Sequence, residues 1–258
     1  MTDRLKVIRD WLTLALAVIG SILGTMANLA PAPAPAPTPA PAPAPTPAPA
    51  PAPLVDPIAE VGRSIRKIQF GNAGCTATIT GPRQPSGRYN VVTAAHCLRG
   101  QPATGVMFLA DGREVQVRRV TFDEKSDIAI IETVSDSLGD LPMATWSDVT
   151  PAIGTQVFHR GFGVHIPGNV ERGEVIGSPD ENNQIRFRIS VSSGDSGGGI
   201  AVTSTGKVLS PVCCTTAKNQ VATVWGGSPE RVTEMLKKLN QATSGWTPID
   251  VPEREDSK

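Results

Sequence analysis

From Pro31 to Pro53 every second residue is proline, with Ala or Thr between, in an eight-residue repeat that closes at Leu54. Each proline fixes its own φ, pushes the residue before it toward extended backbone and offers no N–H, so helix and sheet are both closed to residues 31–54. Polyproline II remains, and at ~3.1 Å per residue the segment reaches on the order of 70 Å as a semi-rigid stalk. Recognition by proline-binding modules is the rival use, but the alternation carries no charged anchors, and a spacer is the stronger reading. The stalk also divides the chain. Before it, Trp11 to Ala30 is a run of 20 residues without charge, long enough as a helix at ~1.5 Å per residue to span the ~30 Å hydrocarbon core. A retained single-pass transmembrane helix is expected, with a signal peptide cleaved near Thr25-Met26-Ala27 as the alternative. Arg4, Lys6 and Arg9 precede the run. Residues 1–30 are therefore expected as a cytoplasmic stub and anchor, with everything beyond in the periplasm or outside the cell.

After the stalk the chain breaks into short β-branched runs separated by Gly, Pro, Asn and Asp. The pattern predicts strands over 65–70, 75–80, 90–94, 106–110, 114–122, 128–134, 156–160, 174–177, 184–190, 199–203, 207–213 and 222–225. Strands at this spacing make a sandwich or a barrel. Ser228-Pro229 then reads as a cap and first helical position for a helix through Ala242, with Val232, Met235, Leu236 and Leu239 as its apolar stripe. One domain over residues 55–245 and a loose tail over 246–258 are expected. The formal net charge is zero and no long basic run occurs, which removes electrostatic support for nucleic-acid binding.

One loop carries the chemistry. Ser193-Gly194-Asp195-Ser196-Gly197-Gly198-Gly199 presents a serine among glycines, which let backbone N–H groups converge and a substrate approach. A serine hydroxyl needs an adjacent base and donors for the oxyanion it creates. The chain offers Thr93-Ala94-Ala95-His96-Cys97 upstream, and Asp127 opening the apolar run Ile128-Ala129-Ile130-Ile131. In these three segments, in the order His, Asp, Ser, the sequence resembles the chymotrypsin/trypsin-like serine proteases. Leu141-Pro142, Gly154-Thr155 and Gly161-Phe162-Gly163 fall in family-like positions between the Asp and the Ser.

The resemblance implies an all-β domain of two six-stranded antiparallel barrels with a C-terminal helix, and peptide hydrolysis in the cleft between them. Ser196 would be the nucleophile, His96 the general base and then acid, and Asp127 the group that orients the imidazole. The N–H groups of Gly194 and Ser196 would form the oxyanion hole. Asp123 and Glu124 compete with Asp127, which is preferred because a buried strand starts right after it. The partner is a protein or peptide substrate, and no cofactor is called for. A membrane-tethered binding module on a degenerate protease fold is the alternative function; the intact residue set argues against it.

Other residues are weighed against the same family pattern. The resemblance implies a Cys75–Cys97 disulfide, consistent with an exported domain, against the alternative of two buried thiols. Cys213 and Cys214 have no family counterpart; buried thiols on opposite strand faces are expected, a strained vicinal disulfide being the other reading. Ser192 stands where the family has a cysteine. The floor of the specificity pocket falls on Ser190, which offers no carboxylate to a cationic side chain, and the walls fall near residues 213–215 and 222–223. Small or medium apolar side chains are therefore expected before the cut bond. Val61-Gly62-Arg63-Ser64-Ile65 has no Ile-Val-Gly-Gly counterpart, so activity without cleavage is expected, with Asp195 satisfied by internal donors. His159 and His165 read as solvated loop histidines, without the ligand set a metal needs. The intervals of 31 residues from His96 to Asp127 and 69 from Asp127 to Ser196 imply loops trimmed as in compact bacterial or viral members.

Overall fold

Alternating apolar residues in short strands leave one face to bury, and the first six strands do so by closing on themselves. In the computed structural model, β1 (Ile65–Phe70), β2 (Ala73–Thr80), β3 (Asn90–Ala94), β4 (Thr104–Phe108), β5 (Glu114–Asp123) and β6 (Ile128–Thr133) form a closed antiparallel barrel in the order β1-β2-β3-β6-β5-β4. The β1–β4 pairing closes it, with Ile68 opposite Met107. Ile68, Ile79, Val91, Met107 and Ile131 fill its interior. Residues 56–163, 168–215 and 222–242 are described, all within one unit, Pro53–Lys258. The expected anchor, the stalk, His165 and the tail lie outside them. Among the described residues no helix is long and apolar enough to cross a membrane.

The remaining strands are β7 (Gln156–Arg160), β8 (Val170–Gly177), β9 (Gln184–Ile189), β10 (Gly199–Val202), β11 (Val208–Pro211), β12 (Cys214–Thr215) and β13 (Ala222–Gly227). They form a seven-stranded sheet in the order β11-β10-β7-β8-β9-β13-β12. This corrects the expected second six-stranded barrel to a half-barrel. β11 ends on Pro211, which has no N–H to extend a ladder. The chain instead crosses to β13, where the Cys213 N–H donates to the Trp225 carbonyl at 2.8 Å and β12 pairs Cys214 with Trp225.

Two helices complete the described fold. α1 (Pro57–Gly62), absent from the strand reading, is capped by Asp56, whose Oδ1 accepts the Ile58 N–H at 3.0 Å, and has proline in its first turn. α2 (Pro229–Ala242) starts after Ser228, whose Oγ accepts the Arg231 N–H at 3.3 Å. Its Val232, Met235 and Leu236 pack on Val92, Ile128 and Ile130, the side chains of β3 and β6 that point away from the barrel interior. β3 and β6 are thus buried on both faces along their whole length. Phe158, Ala201 and Val208 of the sheet pack with Val61 of α1, Ile65 of β1 and Ala144, so the sheet and the barrel share a core.

Candidate active site

His96 sits in a single 3-10 turn, Ala95–Leu98, at the end of β3, and Asp127 immediately precedes β6, the strand beside it. The β3–β6 ladder therefore fixes the distance between them. His96 Nδ1 lies 2.7 Å from Asp127 Oδ2, and the His96 main-chain N–H donates to Asp127 Oδ1 at 2.8 Å. Both carboxylate oxygens are engaged by one residue, which sets the ring orientation as well as its position. Asp127 holds a positive φ of 54°, uncommon for a residue with a side chain, and its carbonyl accepts the Ala95 N–H at 3.2 Å. The carboxylate is 8% exposed and the imidazole 37%, so the pair is closed on the Asp side and open on the other. The hydrogen bond that His96 gives to Asp127 raises its pKa above the ordinary 6.5; burial opposes this, the Asp127 charge and the neighbouring Cys214 add to it, and Arg99 opposes it. Asp123, the competing acid, is used elsewhere: its Oδ2 accepts from Arg231 of α2 at 2.6 Å.

Ser196 comes to this pair through the barrel wall. The Thr76 N–H of β2 donates to the Ser196 carbonyl at 2.8 Å. Cys97 Sγ, bonded to Cys75 at an S–S distance of 2.06 Å as the resemblance implied, lies 3.8 Å from both His96 Nε2 and the Ser196 carbonyl oxygen. The imidazole's outer nitrogen and the serine main chain thus touch the same sulfur. Gly194 has φ 96° and Gly197 φ 83°; a Cβ on Gly197 would overlap Thr93 Oγ1 and the Thr76 carbonyl. The N–H groups of Asp195, Gly197 and Gly198 are given to the carbonyls of Ser192, Val212 and Asp195. Those of Gly194 and Ser196 are given to no carbonyl among the described residues.

Thr76 and His159 also shape this loop, and neither role was read from the sequence. The Thr76 hydroxyl donates to the Gly194 carbonyl at 2.7 Å and accepts the Phe162 N–H at 3.0 Å. A threonine in a strand gives no sequence signal for such a role. His159 corrects the expectation of a solvated loop histidine: it lies in β7 with its side chain 1% exposed, Nε2 3.7 Å from Asp195 Oδ1, an ion-pair rather than a hydrogen-bond distance. Asp195 Oδ1 accepts the Gly163 N–H at 2.8 Å, and Oδ2 accepts the Ser192 N–H at 2.7 Å and hydroxyl at 2.9 Å. Burial pushes the Asp195 pKa up, but His159 and the Ser192 donors outweigh it and hold it below the ordinary carboxylate value. Ser192 thus ties down by hydrogen bonds the segment for which the family pattern has a cysteine.

Ser190 follows β9 directly and is half-buried, and Thr223 of β13 pairs with Arg188 of β9. Cys213 is buried and Cys214 exposed, with their sulfurs 2.8 Å apart. This corrects the expectation of two buried thiols on opposite faces. Ligand-type atoms of His96, Asp127 and Cys213 lie within 4.8 Å of one another. The imidazole Nδ1 and the carboxylate are already engaged with each other, so a metal would have to break the pair.

The described fold is similar to that of the serine endoprotease from Yersinia pestis, at TM-score 0.61 and 16% identity, over 73% of this chain and 66% of that one. It is similar also to the HtrA-type protease AlgW with tripeptide, at TM-score 0.62 and 15% identity, over 73% and 64%. This chain thus spans less than two thirds of either protein's length. No curated protein matches the sequence. Residues 75–209, which run from the disulfide past Ser196 and include His96 and Asp127, match the family described as trypsin-like peptidase domain. The chain belongs to that family.

Proposed function

We propose that the protein is a serine endopeptidase working through Ser196, His96 and Asp127. The observation that carries this reading is the double engagement of Asp127 by His96, which leaves Nε2, beside the Cys97 sulfur that also meets the Ser196 carbonyl, as the imidazole's working nitrogen. Ser196 Oγ attacks the peptide carbonyl while Nε2 takes its proton, and Asp127 stabilises the imidazolium through Nδ1–H. The oxyanion forms against the N–H groups of Gly194 and Ser196. The imidazolium then protonates the leaving amine, and water, deprotonated by the same Nε2, releases the acyl group from Ser196.

In this reading Ser190, without a carboxylate, favours small or medium apolar side chains over Arg or Lys before the cut bond. A peptide-library cleavage profile dominated by Arg or Lys would contradict that. Residues 11–30 tether the enzyme, and residues 31–54 hold the domain off the membrane on the non-cytoplasmic side. The support is the uncharged run behind Arg4, Lys6 and Arg9. Protease shaving of spheroplasts is expected to release a soluble domain, and a protected domain would refute the topology.

A fluorophosphonate probe tests the activity. Wild-type protein is expected to be labelled on Ser196 and to hydrolyse peptides. Ser196→Ala is expected to be unlabelled, still folded, and several orders of magnitude slower. A wild-type chain that neither labels nor hydrolyses would instead be the binding module on a protease fold.

A further inference from the structure

Adjacent residues in a regular strand point to opposite faces. Cys213 and Cys214 do not, because Cys213 lies between the end of β11 at Pro211 and the start of β12 at Cys214, where the chain turns toward β13. Their sulfurs meet at 2.8 Å. One thiol is open to solvent and the other is enclosed, with Gln184 Nε2 3.9 Å from the Cys213 sulfur. The enclosed sulfur shares its space with His96 and Asp127, within 4.8 Å. The two thiols are also unlike in acidity. Cys213 donates its S–H toward Cys214 and is pushed up by that bond, by burial and by the Asp127 carboxylate, whereas Cys214 is lowered by accepting the bond and by His96. The exposed Cys214 is therefore the more acidic of the two and the readier source of the thiolate, the form that reacts with oxidants.

We propose that Cys213 and Cys214 form a dithiol modification site that a hydroperoxide oxidises to a vicinal disulfide, and that this oxidation perturbs the adjoining His96–Asp127 pair. The Cys214 thiolate attacks the peroxide oxygen, giving Cys214–SOH and releasing hydroxide or alkoxide. The Cys213 thiol then displaces the sulfenic oxygen as water, so two thiols lose two electrons and two protons to the peroxide and one S–S bond forms. Neighbouring Cα atoms across a trans peptide are about 3.8 Å apart. Ordinary disulfides need about 4.4–6.8 Å, so this bond is strained and a small thiol reduces it readily.

Among the described residues the groups facing His96 are Asp127, Cys213, Cys214 and Arg99. Oxidation removes the charge that Cys214 can carry, which favours the imidazolium, and the S–H of Cys213 beside Asp127. The charge outweighs the weak neutral donor, so His96 titrates at lower pH in the oxidised protein. Any change in peptide hydrolysis rests on reading His96 as the base; the disulfide and the titration shift do not.

The test uses the whole chain, treated with hydrogen peroxide and then alkylated under denaturing, non-reducing conditions. The peptide holding residues 213 and 214 is expected to take no alkyl group and to lack two hydrogens, and dithiothreitol restores both alkylations. The His96 imidazole resonance is expected to titrate at lower pH after oxidation and to return on reduction. Cys214→Ser is expected to leave Cys213 as an unreacted thiol and His96 insensitive to peroxide. Free thiols after peroxide, a sulfinic acid on Cys214 without the disulfide, or a disulfide that leaves the His96 titration unmoved would each overturn the proposal. A disulfide that forms and shifts His96 in a protein that hydrolyses nothing in either state supports the dithiol site and refutes the peptidase reading instead.

Discussion

The hydroxyl of Thr76, on β2 of the barrel, donates to the carbonyl oxygen of Gly194 at 2.7 Å, in the loop that presents Ser196. The same oxygen accepts the Phe162 N–H, and the Thr76 N–H holds the Ser196 carbonyl. The serine loop is therefore shaped by a side chain from the other half of the domain. Thr76→Val keeps the volume and the β-branching but leaves a carbonyl and an N–H without their partner, at about 1–3 kcal/mol. Peptide hydrolysis is expected to fall by about tenfold or more in kcat/KM, with Thr76→Ser retaining most of it. Equal rates for the wild type and Thr76→Val would show that the contact does not govern the loop.

Asp127→Asn tests orientation separately from backbone geometry. Asparagine tolerates positive φ as aspartate does, so the turn before β6 survives. The amide cannot accept both from His96 Nδ1–H and from the His96 N–H as a charged acceptor, and the imidazole loses its fixed tautomer. A loss of about four orders of magnitude in kcat at neutral pH is expected, by the behaviour of such triads. A loss below about tenfold would assign the acid's role to another residue.

The raised His96 pKa gives opposite signs for rate and stability. In the proposed mechanism Ser196 needs a neutral imidazole, so kcat/KM is expected to climb with pH and reach its midpoint above 6.5. The fold favours the imidazolium, so the stability it contributes is complete below the unfolded value and is lost as pH rises through the raised folded value. A pH–rate profile and thermal midpoints over the same range check both. An acid limb at or below 6.5 would contradict the Asp127 hydrogen bond as the dominant influence.

Asp195 already has three donors from Gly163 and Ser192, and His159 beside it. No freed N-terminus is needed to hold its carboxylate. Ser64, next to the only arginine between α1 and β1, is fully buried, and its N–H and hydroxyl both donate to the Val61 carbonyl. The uncut chain is expected to hydrolyse peptides at full rate, measured on protein with an intact Arg63–Ser64 bond. Inert protein that becomes active on cutting there would reverse the conclusion.

Sequence pattern carried the strands because burial on one or both faces writes itself into local composition. Ile65–Phe70, Asn90–Ala94 and Gln156–Arg160 begin and end where the pattern ends. The pairing of His96 with Asp127 was legible through motifs that sit at strand ends. What was not legible depends on contacts far apart in the chain. Thr76 meets Gly194 across 118 residues, and nothing local distinguishes it from any strand threonine. His159 is enclosed by Asp195 and by Gly198 and Gly199 of the serine loop, about forty residues on in the chain, so its own surroundings in the sequence do not show that it is buried. The extra strand at Cys214–Thr215 is too short for periodicity, and α1 is a single capped turn and a half.

The way α2 covers Val92, Ile128 and Ile130 has a consequence for the order in which the protein can mature. Those side chains belong to the two strands that carry His96 and Asp127, yet their cover is made from residues 229–242, which leave the ribosome about a hundred residues after β6. Until they emerge, both strands present an oily back to the surroundings, and the ladder that sets the imidazole against the carboxylate lacks half its support. Nascent chains arrested before Pro229 are expected to be degraded readily by added protease and to resist fluorophosphonate labelling. The pair of His96 and Asp127 thus gains its full support only once residues 229–242 have been made and have packed against these two strands.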